Sequence, residues 1–111
     1  MTLAGALRGP SPTEVDFSAT VTGAPHFFYG TNTHAMHESF PCRADDGTQL
    51  EIVDNVKLAP RVPVTSGDRI VVRGELVHDR KTGAPLVHWT HHDPAHRHVD
   101  GFIDLAGRRY A

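Results

Sequence analysis

Apolar and polar side chains alternate most clearly from Glu14 to Thr22, where Val15, Phe17, Ala19 and Val21 interleave with Asp16, Ser18, Thr20 and Thr22. A period of two sends the two sets to opposite faces of an extended chain and predicts a half-buried β-strand. Gly23-Ala24-Pro25 ends it. The next stretch, His26-Phe27-Phe28-Tyr29-Gly30-Thr31-Asn32-Thr33, has three consecutive aromatics followed by turn formers. That order fits a strand entering a tight turn and fits a loop with exposed rings equally well. Residues 37–44 and 48–54 predict two strands joined as a hairpin at Asp45-Asp46-Gly47.

From Asn55 to Pro63 the chain is too short and too rich in proline for a long helix. One helical or 3₁₀ turn is expected, capped by Asn55 and stopped by Pro60. Residues 69–78 are dominated by β-branched side chains and predict a strand, with Gly74 at its middle marking a bulge or sharp bend. Residues 85–92 predict another strand, ended by Pro94, and residues 101–110 a small hairpin turning at Ala106-Gly107. Residues 1–13 show no period and contain Gly5, Gly9, Pro10 and Pro12, so a flexible leading segment is expected before a single β-barrel domain over residues 14–111. Three strands, a helical turn and two more strands is the order of an all-β protein built as a small OB-fold-like five-stranded Greek-key barrel, here with a C-terminal hairpin added. A small β-sandwich or an SH3-like barrel would give nearly the same pattern.

Composition narrows the function classes. At 111 residues there is room for one core, burying roughly two-thirds of the unfolded chain's surface. Eleven Lys and Arg against thirteen Asp and Glu leave a formal charge of -2, which argues against tight binding of nucleic acid by charge alone. Nine histidines make that charge conditional, since they turn it positive by about pH 6. Cys42, the single cysteine, excludes an internal disulfide and a multi-cysteine zinc site, and its apolar setting suggests a buried small residue, not a nucleophile. No basic leader and no apolar run of membrane-spanning length are present, so a cytoplasmic protein without membrane contact is expected.

Several ordered blocks of the second half are similar to a known family. Asn55-Val56-Lys57-Leu58-Ala59-Pro60-Arg61-Val62-Pro63, Gly67 to Glu75, His88-Trp89-Thr90-His91-His92-Asp93-Pro94, Arg97-His98, Asp100-Gly101 and Gly107-Arg108-Arg109-Tyr110 resemble the bacterial DUF3465 family. The resemblance covers mainly residues 54–110, and the Trp-Thr-His-His-Asp-Pro block is its most specific part. It implies no activity, because the family is a domain of unknown function. The chain departs from the family pattern at His96, where a small residue is usual, in Phe27-Phe28-Tyr29, where the family's first loop is polar, and in lacking the export leader that members often carry.

Five of the nine histidines and the only tryptophan fall between His88 and His98, which makes this the candidate site. If the strand continued to His92, alternation would place His88, Thr90 and His92 on one face and Trp89, His91 and Asp93 on the other, with Trp89 in the core. Three readings follow. His88, His92, Asp93 and His98 offer imidazole and carboxylate ligands that suit a metal such as zinc. His91, Asp93 and Arg97 could instead form a structural latch that caps the turn and holds the terminal hairpin. Thirdly, His37-Glu38-Ser39 and His88-Trp89-Thr90 both read His-x-Ser/Thr, so His37, His88 and His91 are candidate acid and base groups of a histidine-based phosphoesterase or nuclease.

A binding module would use Trp89, Thr90, Arg97 and Tyr29 as ligand contacts. Phe27, Phe28, Tyr29 and Trp89 could stack on single-stranded nucleic acid, although core packing is the simpler role for each ring. The pattern as a whole predicts an OB-like domain, more a binding module than an enzyme, whose histidine-rich surface meets a small ligand, a metal or a protein partner.

Overall fold

A computed structural model of the protein describes residues 2–111. Helix α1 (Leu3–Leu7) is followed by eight strands, β1 (Thr13–Val21), β2 (His26–Gly30), β3 (Ala35–Ala44), β4 (Gln49–Asn55), β5 (Arg69–His78), β6 (Pro85–His88), β7 (Phe102–Leu105) and β8 (Arg108–Tyr110). Five of them close a barrel in the order β1-β3-β4-β6-β5 and back to β1. Only β4 and β6 run parallel; the other neighbours are antiparallel. This is the expected OB-like barrel with its terminal hairpin, and a sandwich is excluded by the closure. Alternation builds the interior: Phe40, Ile52, Ile70, Val72, Leu76 and Val87 all point inward and are buried. Cys42 joins them, and burial, aided by the charge of Glu51, pushes its thiol up to about 12, so it is not a nucleophile at neutral pH.

Closure depends on β5, whose two edges serve three partners. One edge pairs with β1 without interruption from Thr13↔Leu76 to Thr20↔Arg69. The other is divided, Ile70 to Arg73 pairing with β7 and Glu75 to His78 with β6. Gly74 sits at the handover. Of the bulge or sharp bend expected there, the bulge is absent toward β1, because the unbroken register leaves no extra residue. A Cβ at position 74 would lie 2.5 Å from the His88 carbonyl oxygen and 2.7 Å from Val87 Cγ1, so close approach is what requires glycine. Gly101 is crowded in the same way, by the backbone carbonyls of Trp89 and Arg73.

Other segments differ in detail from what their patterns suggest. The leading segment carries α1, whose Thr2 hydroxyl accepts from Gly5 N–H at 3.0 Å and whose Leu3 and Ala6 are buried in the core. A single turn has too few buried positions to show a period. The ambiguous aromatic stretch is strand β2, paired along β3 from His26↔Ser39 to Gly30↔Ala35. Asn55 Oδ1 accepts the N–H groups of Lys57 and Leu58, giving the one capped turn expected before Pro60. Strand β6 stops at His88, four residues short of expectation, because Trp89 adopts a left-handed backbone with φ of 55°. At the C-terminal end, Ala106 and Gly107 with φ of 51° and 81° turn the hairpin where Ala106-Gly107 was predicted.

Gly74→Ala is expected to lower unfolding free energy by more than about 2 kcal/mol, since its methyl meets backbone that cannot move without parting β5 from β6. Chemical denaturation with a far-UV readout measures this; a loss within error would mean that the handover is loosely packed.

Candidate ligand-binding face

The inward set on β3 and β4 fixes what faces out. With Phe40, Cys42, Leu50 and Ile52 in the core, His37, Ser39, Glu51 and Val53 lie on the barrel's exterior. Strand β2 extends this surface, because its pairing with β3 sets His26 opposite Ser39 and Phe28 opposite His37. The Phe28 and His37 rings stack at 5.3 Å with an interplanar angle of 14°. Ser39 donates to Glu51 Oε1 at 2.6 Å. Across from β2, the loop 79–84 is held by Asp79 Oδ1, which accepts the N–H groups of Lys81 and Thr82. Between them lies a cleft of about 540 Å³ lined by Phe28, Val53, Pro85 and Leu86 together with His26, Ser39, Glu51, Asp79 and His88. Among the described residues no lysine or arginine lines it. A second hollow of about 250 Å³ shares Val53 and His88 and adds His37, Trp89 and His91.

The left-handed Trp89 decides what the histidine-rich segment can do. It breaks the alternation expected from His88 to Asp93 and turns Thr90 into the barrel, where its hydroxyl reaches Asp54 Oδ1 at 3.1 Å and the Val53 carbonyl at 3.2 Å. Thr90 is fully buried and does not line either hollow. Trp89 is not a core residue, as alternation suggested; it is half-buried at the surface, stacked on His98 at 4.1 Å and 19°. His88 Nε2 and His98 Nδ1 approach the two oxygens of one carboxylate, Glu75, at 3.1 and 3.3 Å. So His88 and His98 come together, and His37, His88 and His91 share the second hollow. His92 and His96 are exposed. Among the described residues no group of three or more His, Cys, Asp or Glu is arranged to hold a metal ion. Tyr29 lies on the opposite face of β2 from Phe28, outside the cleft, and Arg97 borders a separate hollow beside Trp89 and His98.

Asp93 organises the turn. Its carboxylate accepts the backbone N–H groups of Ala95, Arg97 and His98 at 2.7–2.9 Å, and its own N–H donates to Asp100 Oδ1 at 2.8 Å. Burial disfavours its charge, but the three N–H groups outweigh that and hold its pKa below the usual carboxylate value. Beside it the His91 carbonyl accepts Gly101 N–H at 2.8 Å and its imidazole Nδ1 lies 2.7 Å from the His92 carbonyl oxygen. The Arg97 side chain makes no ion pair among the described residues; only its backbone takes part.

Sequence reasoning missed the most unusual groups. Glu38 and Asp54 are cross-strand partners on the inward face, both 0% exposed. Glu38 Oε1 accepts Val62 N–H at 2.9 Å and Asp54 Oδ1 accepts Thr90, while Glu38 Oε2 and Asp54 Oδ2 have no partner among the described residues. Two like charges buried on neighbouring strands disfavour each other, so the protonated form is favoured at this end of the barrel. Burial raises Glu38, opposed by Val62 N–H and the charge of Arg61. Burial also raises Asp54, to about 7, opposed by Thr90 and reinforced by the charge of Glu38. The signal was present: Glu38 has the parity of Phe40 and Cys42, and Asp54 that of Leu50 and Ile52.

Two outcomes are expected. Because the carboxyl pKa is raised on folding, the folded chain holds more protons than the unfolded one between about 4 and about 7. The pair's stabilising contribution is therefore full below that window and is lost, by on the order of a few kcal/mol, as pH rises through it. His91 acts oppositely, since burial lowers its pKa and its contribution fades as pH falls below 6.5. Asp54→Asn should flatten the decline between about pH 4 and about pH 7 in denaturant titrations; an unchanged decline would assign it elsewhere. Asp93→Ala should lower the melting temperature by several degrees and Arg97→Ala should leave it unchanged, as read by calorimetry.

Comparison with known proteins agrees with the sequence. A family model described as "Protein of unknown function (DUF3465)" matches residues 21–111, and the chain belongs to this family. No curated protein and no solved structure matches it.

Proposed function

We propose that this member of the DUF3465 family is a binding module that takes a small, ring-bearing molecule in the cleft between β2 and the loop 79–84. The observation that carries the reading is the cleft itself: about 540 Å³ on the exterior of β3 and β4, with an apolar wall, the Phe28 ring backed by His37 from the neighbouring hollow, and a few convergent polar groups. This is the face, and these are the flanking loops, that OB barrels use for ligands, an analogy of architecture that adds weight without naming the ligand. The ring of the ligand lies against Phe28, and Ser39, Glu51 and His88 supply its polar contacts.

Charge selects among ligands. Glu51 and Asp79 line the cleft, Arg80 and Lys81 border the adjacent hollow, and no guanidinium or ammonium is aimed inward to meet a phosphate. An uncharged or cationic ligand fits better than an anionic one. The same point weighs against a phosphoesterase and against single-stranded nucleic acid, and Thr90, turned into the barrel, is not placed to act in the second His-x-Ser/Thr pattern.

An isosteric series tests both parts. Benzyl alcohol and benzylamine should shift the amide resonances of Phe28, Val53 and Leu86 in NMR titrations, and benzoate should not. Phe28→Ala should weaken binding roughly 3- to 10-fold without altering the circular dichroism spectrum, because the ring is 40% exposed. Shifts confined to other surfaces would overturn the site; equal or stronger binding of benzoate would overturn the charge argument.

A further inference from the structure

The barrel has no open edge, but the strands added to it do, and the two free edges are treated differently. At one end of the sheet β8 carries Arg108 and Arg109 in its three residues, charges that discourage another strand from pairing there. At the other, β2 pairs only with β3. Among the described residues, the backbone of residues 26–29 makes no hydrogen bond other than to β3. Its sequence His26-Phe27-Phe28-Tyr29-Gly30 contains no Lys, Arg, Asp, Glu or Pro. The strand has no charged side chain of its own, the Arg61 guanidinium lies 4.8 Å over the Phe27 ring, and three rings are exposed there: Phe27 and Phe28 are 40% exposed, Tyr29 56%, and Met36, opposite Tyr29 on β3, 43%. Exposed apolar side chains on both faces of an uncharged edge mark a surface made to be covered.

We propose that the edge of β2 is covered by β2 of a second copy of this chain, the two strands running antiparallel about a two-fold axis. A register centred on Phe28 sets Phe28 against Phe28 of the partner, Phe27 against Tyr29 and His26 against Gly30. Phe27, Phe28 and Tyr29 then each have an aromatic partner on their own face, the kind of cross-strand pair that stabilises antiparallel sheets. Neither copy brings a carboxylate, ammonium or guanidinium on this strand, so self-pairing meets no like-charge repulsion from it. The same patch serves both subunits, as a two-fold interface requires. Since Phe28 belongs to the ligand-binding face, the association would place two clefts on one continuous surface.

Sedimentation equilibrium on the full chain tests this. The wild-type protein should be a dimer at about 200 µM and dissociate on dilution. Phe27→Lys combined with Tyr29→Lys brings lysines face to face across the axis and should give a monomer with an unaltered circular dichroism spectrum. Phe27→Glu combined with Tyr29→Glu should do the same, and mixing the two variants should restore a heterodimer, which a folding defect could not produce. A wild-type monomer throughout the concentration range, a dimer that survives the lysine substitutions, or two monomers that fail to recombine would each overturn the proposal.

Discussion

The divided edge of β5 is the constraint on which the rest of the structure depends. One strand must pair with β1 along one side while giving its other side first to β7 and then to β6. Two backbones can meet there only if position 74 has no side chain, and the returning chain can pass only if position 101 has none. With its partner on β5 used up after Glu75, β6 cannot extend beyond His88. Trp89 turns left-handed at that point, so the residues that follow leave the sheet and become a capped turn.

That departure places the chemistry. An extended strand through His92 would have spread its imidazoles over two faces. The left-handed Trp89 instead lays its ring on His98, lets His98 join His88 at Glu75, which already faces His88 across β5 and β6, and sends the Thr90 hydroxyl inward to Asp54. Asp93 then closes the turn through three backbone N–H groups. Most polar atoms in the segment are engaged in holding its shape. The neighbouring cleft, formed by β2, β3, β4 and the loop 79–84, is where hydrogen-bonding capacity and apolar rings remain open together.

The inward Glu38 and Asp54 show the cost of closing this end of the barrel with polar groups. A hydrophobic pair would pack there without an orphan oxygen. The carboxyls instead tether two segments that the sheet does not hold, Val62 from the connection before β5 and Thr90 from the segment after β6. The barrel end and the candidate face are thereby joined through groups whose protonation matters to folding.

The sequence by itself determined the elements: β1, β4 and β5 were legible from alternation and β-branched content, the Asn55 turn and the Ala106-Gly107 hairpin from their local chemistry, and the family from the blocks after Asp54. These depend on neighbours along the chain. What only the tertiary structure decided were the contacts between distant segments: that Gly74 serves a handover and not a bulge, that Trp89 leaves the core, that β2 is a strand, that Glu38 faces Asp54, and that His88 shares Glu75 with His98. A residue's backbone region at a junction such as Trp89 is set by the strands competing for the same edge, and no local pattern of hydrophobicity contains that competition.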